Sequence, residues 1–437
     1  MGFFIVKYIQ LLPHRYGVKM IDLSFLREHP KKAIELLSKK EPNFNTELLI
    51  TLDKDFRRLN LEAEELRRQK NELSESGKKG ITPELREKSI EIGKNLKAKE
   101  SDLADVKKAF EDLYLGCPNL PMEDLPIGGK EKNLVVSEFG KKPNFNFVPK
   151  NHVELGEKLQ WLDFEAAAKM TGSQFALYKN DAAKLVYSLA MLMIQNNLKH
   201  GYQLILPPFL VNEQSLVVAS NFPKFRDQVY SVEACPEQSR GNNLYLTPTS
   251  EVNLTNLYRN HIFTAKDLPV KLTSWTNCFR REAGSYGAHE RGLIRIHQFD
   301  KVELYTICQP QDAEKEQEKM LNCAQDILKQ LDLHYRVSLL ATQDCSFASS
   351  KTYDIEVWMP GQQAYYEVSS ISNCTDFQAR RGNIRFRANE NAKTELVYTL
   401  NASSLAFPRL IVALMETYQK EDGSIELPPI LKKFGIW

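Results

Sequence analysis

The chain has 437 residues, more than one hydrophobic core usually serves, so we expect two domains with separate cores. Its 58 basic and 56 acidic side chains leave a formal net charge of +2. This near neutrality excludes strong long-range attraction to nucleic acid, and any such contact must come from local basic patches.

The cysteine pattern and the hydropathy indicate in which cellular compartment the protein is expected. Seven cysteines are scattered without a Cys-x-x-Cys pair or a Cys/His cluster of zinc-ligand spacing, which favours a reducing compartment and no structural zinc. No apolar stretch approaches the roughly 20 residues that span a bilayer. We therefore expect a soluble, cytoplasmic protein. Residues 1–19 hold no acid but are less rich in Arg and Ser than transit peptides, so we interpret them as an N-terminal extension.

Residues 20–125 are predicted to form a helical arm. Two apolar seams of heptad spacing run through residues 52–73 and 85–113, on either side of a short break with glycine and proline. This pattern predicts an antiparallel two-helix coiled coil that reaches about 40 Å. Thr82 is the expected N-cap of the second helix, and Pro83 its first residue.

The remaining chain, 126–437, has the mixed pattern of an α+β domain. Residues 117–150 are rich in proline and glycine and are predicted to be a linker. Residues 181–199 predict an amphipathic helix that leads into a strand ending at Pro207. Residues 232–241 are interpreted as an exposed insertion of unassigned role.

Residues 279–303 hold the strongest candidate site. Two apolar or alternating runs, 275–279 and 293–304, flank a glycine-containing loop and predict two strands joined by a long hairpin. On a strand, Arg280 and Glu282 would share one face. An arginine fork beside such a loop suits an anionic ligand such as phosphate. An ordinary surface hairpin with ion pairs is the alternative from composition alone.

The sequence of residues 279–304 resembles a known family motif. Phe-Arg-x-Glu-Ala-Gly, followed by Arg-Gly-Leu-Ile-Arg-x-His-Gln-Phe-Asp-Lys-Val-Glu-Leu, is similar to the second motif of seryl-tRNA synthetases, which are class II aminoacyl-tRNA synthetases. The resemblance covers nearly everything from Met20 onward. It implies an α+β fold: an N-terminal antiparallel two-helix coiled-coil arm, then a class II synthetase domain with an antiparallel β-sheet flanked by helices. It also implies a homodimer built on residues 181–208, although a buried helix against a sheet would give the same pattern.

The resemblance implies a site for ATP with Mg²⁺. Arg280 would clamp the α-phosphate and the substrate carboxylate, Arg409 the γ-phosphate, and Glu367 and Ser370 would hold Mg²⁺, an ion that prefers oxygen ligands. Arg280, Arg409 and Glu367 form the implied catalytic set. The implied ATP-binding residues are Arg280, Arg281, Glu282, Ile296, Phe299, Glu367, Val368, Ser369, Ser370 and Arg409.

The same resemblance implies a pocket for the amino acid serine. Its implied residues are Thr249, Ser250, Glu251, Glu303 and Ser403. A binding site selects a substrate with a hydroxyl when an analogue without that hydroxyl would leave polar groups of the site unpaired. Residues 399–409 are predicted to form a polar turn that enters an apolar helix, and they resemble the third class II motif. They depart from the family because Ala402, Ser404 and Pro408 stand where glycine is expected. Side chains at 402 and 404 are expected to crowd the nucleotide and to affect rate more than fold.

The arm of this family grips the long variable arm of its tRNA through backbone phosphates. The implied contacts are Arg57, Arg58, Arg67, Arg68, Lys78 and Lys79. A solvated coiled coil with intrahelical ion pairs is the alternative interpretation.

The resemblance therefore implies serine–tRNA ligase activity. The chain would convert serine and ATP into seryl-adenylate and pass serine to the 3' end of tRNA(Ser), and of tRNA(Sec) as a further partner. Two alternatives are an amino acid:carrier ligase, and a catalytically weakened synthetase-like RNA-binding protein, which the altered third motif favours. The sequence suggests no Ser/His/Asp or Cys/His arrangement of the kind used for covalent catalysis.

Overall fold

A computed structural model describes residues 20–78, 82–233, 243–283, 292–434 and 437. The chain divides into two compact units, Met1–Pro118 and Asn119–Trp437. The division falls ahead of the expected boundary after residue 125, because the Asn119 amide already donates to the carbonyls of Ala348 and Cys374, each at 2.9 Å. Within the described ranges, no helix is long and apolar enough to cross a membrane.

The first unit is the helical arm with its base. It contains α1 (Leu23–Glu28), α2 (Pro30–Lys40), α3 (Thr46–Gly77) and α4 (Pro83–Leu115). The predicted antiparallel hairpin is confirmed, since ion pairs join Arg67 to Glu100 and Lys99 to Glu62 as the two helices run past each other. Thr82 caps α4 as predicted, its side chain accepting the Leu85 N–H.

The second unit is a large sheet covered by helices. Its helices are α5 (His152–Lys158), α6 (Phe164–Thr171), α7 (Asp181–Lys199), α8 (Glu213–Val218), α9 (Ser250–Leu257), α10 (Ala313–Gln330), α11 (Phe377–Gly382) and α12 (Phe407–Thr417). Its strands are β1 (Leu134–Phe139), β2 (Gln203–Leu204), β3 (Leu210–Asn212), β4 (Ser231–Val232), β5 (Leu244–Leu246), β6 (Ile262–Thr264), β7 (Val270–Phe279), β8 (Gln298–Cys308), β9 (Tyr335–Leu339), β10 (Lys351–Met359), β11 (Ala364–Asn373), β12 (Arg385–Arg387), β13 (Glu395–Leu396) and β14 (Tyr398–Ala406).

Eight strands form the main sheet in the order β1-β9-β10-β11-β14-β8-β7-β2. Neighbours pair antiparallel except β2 and β7, which are parallel. Helices α7, α10 and α12 pack on the sheet and bury a continuous apolar core that includes Leu189, Ile327 and Leu410. Because side chains alternate across a strand, Leu304 of β8 faces this core while its neighbour Glu303 lines a cavity on the other face.

Three sequence predictions are corrected here. The predicted linker 117–150 contains β1, which pairs with β9 at the sheet edge. The run 293–304 becomes a strand only from Gln298, because residues 293–296 form one wall of the cavity. Residues 399–406 were predicted as a polar turn but form strand β14, whose polar side chains find partners inside the protein.

Candidate active site

A cavity of about 450 Å³ opens on the face of the sheet opposite the helical core. Strands β8, β11 and β14, with the first turns of α9 and α12, supply most of its wall. Its lining residues are Glu251, Arg280, Glu282, Leu293, Ile294, Arg295, Ile296, Phe299, Lys301, Glu303, Ser346, Glu367, Ser370, Ser372, Asn401, Ser403, Ala406, Pro408 and Arg409. Residues implied for both the amino acid and the nucleotide therefore meet in one cavity.

One end of the cavity is built around Glu303. This carboxylate is 1% exposed, forms an ion pair with Lys301 and accepts a hydrogen bond from the Thr249 hydroxyl at 3.1 Å. Lys301 also donates to the Thr249 oxygen at 2.7 Å. Burial raises the pKa of Glu303, while the Lys301 charge opposes the rise. Ser403 lies opposite Glu303 in the β14–β8 pairing and lines the same end.

Glu251 is a second acid at this end. It stands in the first turn of α9, and Thr249 caps that helix. Its Oε1 accepts from the amides of Gln378 at 2.6 Å and Asn401 at 3.1 Å. Burial, with repulsion from Glu303, raises the pKa of Glu251 to about 7. Because Glu303 is already paired with Lys301, Glu251 is the acid better able to meet a cation that also carries hydrogen-bonding groups.

Three arginines also line the cavity, and the charge of Arg280 opposes the rise in the pKa of both acids. The Arg280 guanidinium lies 5.3 Å from the Phe299 ring centroid, and its Nε donates to the Pro248 carbonyl at 3.3 Å. Glu282 and Arg295 pair at 2.5 Å across the wall. The prediction that Arg280 and Glu282 share a strand face is wrong, because β7 ends at Phe279 and Glu282 has a φ of +47°. Both side chains nevertheless line the cavity.

Arg409 and Glu367 lie at the mouth beside a carboxylate that the sequence did not single out. Arg409 Nη1 donates to the Glu367 carbonyl at 2.8 Å, and the two side chains are 3.7 Å apart. The Ser370 hydroxyl donates to Asp354 on the neighbouring strand. Burial and the Glu367 charge raise the pKa of Asp354. Two carboxylates and a hydroxyl thus stand near a guanidinium.

Several implied residues do not reach the cavity wall. Ser250 is buried in the first turn of α9, and Val368 belongs to the apolar core. Ser369 is buried and donates to the Ser403 carbonyl, so it supports the wall from behind. Arg281 is exposed at the surface. Thr249 acts at the wall through its contacts with Glu303 and Lys301.

Lys301, Asn401 and Asp354 were missed as site residues. The signal for Lys301 was its place two residues before Glu303, which puts both on one face of β8. Asn401 stands two residues before Ser403 on β14, so these two side chains also share one face of their strand. Asp354 carried no local signal, because it alternates with other polar residues on β10.

Two of the three glycine replacements in the third motif point away from the cavity. Ala402 is fully buried in the helical core, and the Ser404 hydroxyl donates to Asn197 of α7 at 3.1 Å. Pro408 stands in the first turn of α12, where a missing N–H is harmless, and it lines the cavity. The expected crowding of the nucleotide therefore has no basis in the side chains at 402 and 404.

The predicted arm residues are half-exposed or more, and each described one is ion-paired. The pairs are Arg57–Asp53, Arg58–Glu62, Arg67–Glu100, Arg68–Glu65 and Lys78–Glu75. Lys79 and most of the 232–241 insertion lie outside the described residues, as do residues 1–19.

Comparison with known proteins identifies the class and then the family. The family model "tRNA synthetase class II core domain (G, H, P, S and T)" matches residues 230–418, and "Seryl-tRNA synthetase N-terminal domain" matches residues 20–121. The sheet and cavity are thus those of a class II tRNA synthetase. Serine–tRNA ligases of Chlamydia abortus and Syntrophobacter fumaroxidans are each 44% identical to the chain, over 95% of it and 98% of their own lengths. The chain belongs to the seryl-tRNA synthetase family.

Solved structures agree with this assignment. The seryl-tRNA synthetase from Pyrococcus horikoshii complexed with ATP superposes with a TM-score of 0.84 at 31% identity, covering 95% of this chain and 98% of that one. The cytoplasmic serine–tRNA ligase of Naegleria fowleri in complex with AMP gives 0.80 at 23% identity, which speaks for the fold alone. The resemblance seen in the sequence and the predicted fold class are both confirmed.

Proposed function

We propose that the chain is a serine–tRNA ligase, which activates L-serine with ATP to seryl-adenylate and transfers serine to the 3'-terminal ribose of tRNA(Ser). One observation carries the proposal: a single cavity is lined both by two acids, Glu251 and the buried Glu303, and by the arginines Arg280, Arg295 and Arg409. This is the charge distribution that a zwitterionic amino acid and a polyphosphate require side by side. tRNA(Sec) is a further proposed acceptor.

The acid pair fits serine itself. Glu251 is placed to compensate the ammonium, while Glu303, Thr249 and Ser403 offer partners to a small hydroxyl side chain. Glu303 and Thr249 also bond each other and Lys301. Serine would therefore add a hydrogen bond at this end that an amino acid without the hydroxyl cannot make, and sites built to bind a hydroxyl discriminate strongly.

Arg280 and Arg409 fit the polyphosphate. Charge on the transferred phosphorus is offset by fixed guanidinium groups, and the bound reactants gain most from being held in line. Phe299 and Ile296 form the apolar wall for the adenine ring, beside Glu282.

Glu367, Ser370 and Asp354 fit a Mg²⁺ ion that arrives with ATP. Among the described residues no group of three or more His, Cys, Asp or Glu could hold a metal alone. An ion that shares its coordination with phosphate and water needs only one or two protein carboxylates. Bound there, Mg²⁺ would offset phosphate charge.

The test is serine-dependent exchange of pyrophosphate into ATP, in parallel with threonine, alanine and cysteine. We expect exchange with serine and a preference over alanine of at least about 10³-fold in kcat/KM, because alanine cannot make the hydrogen bonds that the site offers to a hydroxyl. Exchange that is equal for serine and alanine, or absent from folded protein, would contradict the proposal and favour the RNA-binding alternative.

Serine binding should strengthen as pH rises through about 7. The pKa of Glu251 is raised by burial to about 7, so the carboxyl is mostly protonated at pH 6 and mostly ionised at pH 8, and only the ionised form compensates the ammonium. Below pH 7 we expect the kcat/KM for serine to fall by about tenfold per unit. The measurement is the exchange rate at low serine from pH 5.5 to 8.5. The Glu251→Gln variant should be weaker at every pH and lose this dependence; an unchanged slope in that variant would assign the titration to another group.

We further propose a homodimer in the cytoplasm. Tyr187, Met191 and Leu198 of α7 and the nearby Leu206 and Phe209 are large apolar side chains exposed in the single chain. Exposed apolar side chains grouped along a segment commonly mark an interface, and all but Phe209 lie in the segment 181–208 that the resemblance implies for dimer contact. The six described cysteines are all free and buried, in keeping with a reducing compartment.

A further inference from the structure

A buried histidine–carboxylate pair stands directly behind one wall of the cavity. His152 begins α5 and is 2% exposed, and Glu416 near the end of α12 is fully buried. The ring Nδ1 of His152 lies 3.2 Å from Glu416 Oε1, and the His152 backbone N–H donates to the same oxygen at 3.0 Å. The proposed reaction uses neither side chain.

The other ring nitrogen fixes the backbone of the cavity wall. The N–H of Leu293, a lining residue, donates to His152 Nε2 at 3.1 Å. A backbone N–H can only donate, so Nε2 must carry no proton, and Nδ1 carries the hydrogen that is donated to Glu416. His152 is therefore a neutral bridge between Glu416 and the Leu293 backbone.

Glu416 is itself held rigidly. Its oxygens also accept from the Gly361 N–H at 2.8 Å and from the Gln362 amide at 3.0 Å. The same helix carries Arg409, two turns earlier and therefore on the same side of α12. The bridge thus connects the helix of the phosphate-binding arginine to the wall at Leu293.

The local backbone is adapted to this bridge. Gly292 has a φ of +73°, and a Cβ added there would lie 2.2 Å from His152 Nε2 and 2.8 Å from Val153. Glycine is required both by the backbone angle and by the close approach of the ring. The wall has a second tie one residue on, where Arg409 Nε donates to the Ile294 carbonyl at 3.4 Å.

We propose that His152 and Glu416 are positioning residues for the nucleotide end of the cavity. The pair sets the position of residues 293–296, and with it the adenine wall at Ile296, relative to Arg409. The proposal rests on the proposed function, because it takes ATP as the ligand of that end. The serine end is built on β8, β14 and α9, and none of the hydrogen bonds given above joins the pair to these elements. Loss of the pair should therefore affect ATP and spare serine.

Two substitutions separate the two ring nitrogens. His152→Asn places an amide nitrogen where Nδ1 stands and removes the acceptor for Leu293, whereas His152→Gln places an amide oxygen near Nε2 and restores that acceptor. We expect His152→Asn to raise the Kd and KM for ATP by about tenfold, the scale of one unsatisfied buried N–H, with the serine KM unchanged. His152→Gln should recover most of the loss.

His200→Asn is the matched control. His200 also pairs with a carboxylate, Asp326 at 2.9 Å, but it is partly exposed at the end of α7 and away from the cavity. We expect ATP and serine parameters like those of the unsubstituted chain. Thermal unfolding of all three variants measures what is lost in stability alone.

The ATP Kd is measured by calorimetry on the full chain, and the two KM values by pyrophosphate exchange. A larger ATP defect in the Asn than in the Gln variant, at similar unfolding temperatures, supports the positioning role. Equal ATP defects in both, equal rises in the KM of serine and ATP, or no ATP defect would overturn it. If the unsubstituted chain binds ATP but shows no serine-dependent exchange, the proposed function fails while calorimetry still decides the role of His152.

Discussion

Replacing Arg280 with alanine should lower serine-dependent pyrophosphate exchange by about 10³-fold, mainly through kcat. Preorganised donors that meet charge developing in the transition state are worth about 10²–10³-fold each, and Arg280 is placed to meet both the α-phosphate and the serine carboxylate. Its guanidinium is oriented by the Pro248 carbonyl and the Phe299 ring.

Three further measurements test whether the loss in Arg280→Ala is specific to the Arg280 guanidinium. Arg280→Lys keeps the charge but loses the planar fork, and should restore only part of the rate. Arg387→Ala removes an exposed arginine from the small sheet β13-β12-β6 and should leave exchange intact. Because the Arg280 charge also opposes the burial that raises the pKa of Glu251, the assay is repeated at pH 8.5 to keep that acid ionised. A loss in Arg280→Ala confined to KM for ATP would contradict a role at the reacting phosphate.

A chain that begins at Asn119 should lose tRNA charging by about 10³-fold or more while retaining serine-dependent exchange. The second unit has its own core and the whole cavity, so activation of serine needs nothing from the arm. Charging does need it, because about six phosphate contacts are worth several orders of magnitude in affinity at physiological salt. The measurement is charging of tRNA(Ser) beside pyrophosphate exchange, with thermal unfolding as a check of folding.

A full-length variant tests the arm without truncation. Arg58→Glu with Arg68→Glu should weaken tRNA binding and reduce its dependence on salt, whereas Lys169→Glu with Lys329→Glu makes the same change of net charge on the second unit and should not. Charging that survives loss of the arm would favour the alternative in which a different acceptor, such as a carrier protein, receives the amino acid.

The arm was predictable from sequence because its signals are local. The heptad seams, the Thr82 cap and the break before Pro83 each depend on residues within a few turns of one another. The helix predicted over 181–199 agrees with α7 for the same reason.

The cavity depended on the family resemblance, since its residues come from distant parts of the chain. Nothing local brings Glu251, Glu303, Glu367 and Arg409 together; sheet pairing does so. Strand β14 was missed because both of its faces are partly polar, one towards the cavity and the other towards Asn197, so the alternation that marks a half-buried strand is absent.

The ion pairs along the arm also bear on how selective its binding can be. An arginine already paired with a glutamate must be released before it meets a phosphate, and an exposed pair costs about 0–1 kcal/mol to break. A single arginine–phosphate contact gains little free energy, because the paired carboxylate competes for the arginine. Several such contacts made at once, along a surface of matching shape, gain enough to displace the carboxylates. We therefore expect such an arm to bind short or flexible polyanions weakly and a long, rigid RNA of matching shape more strongly.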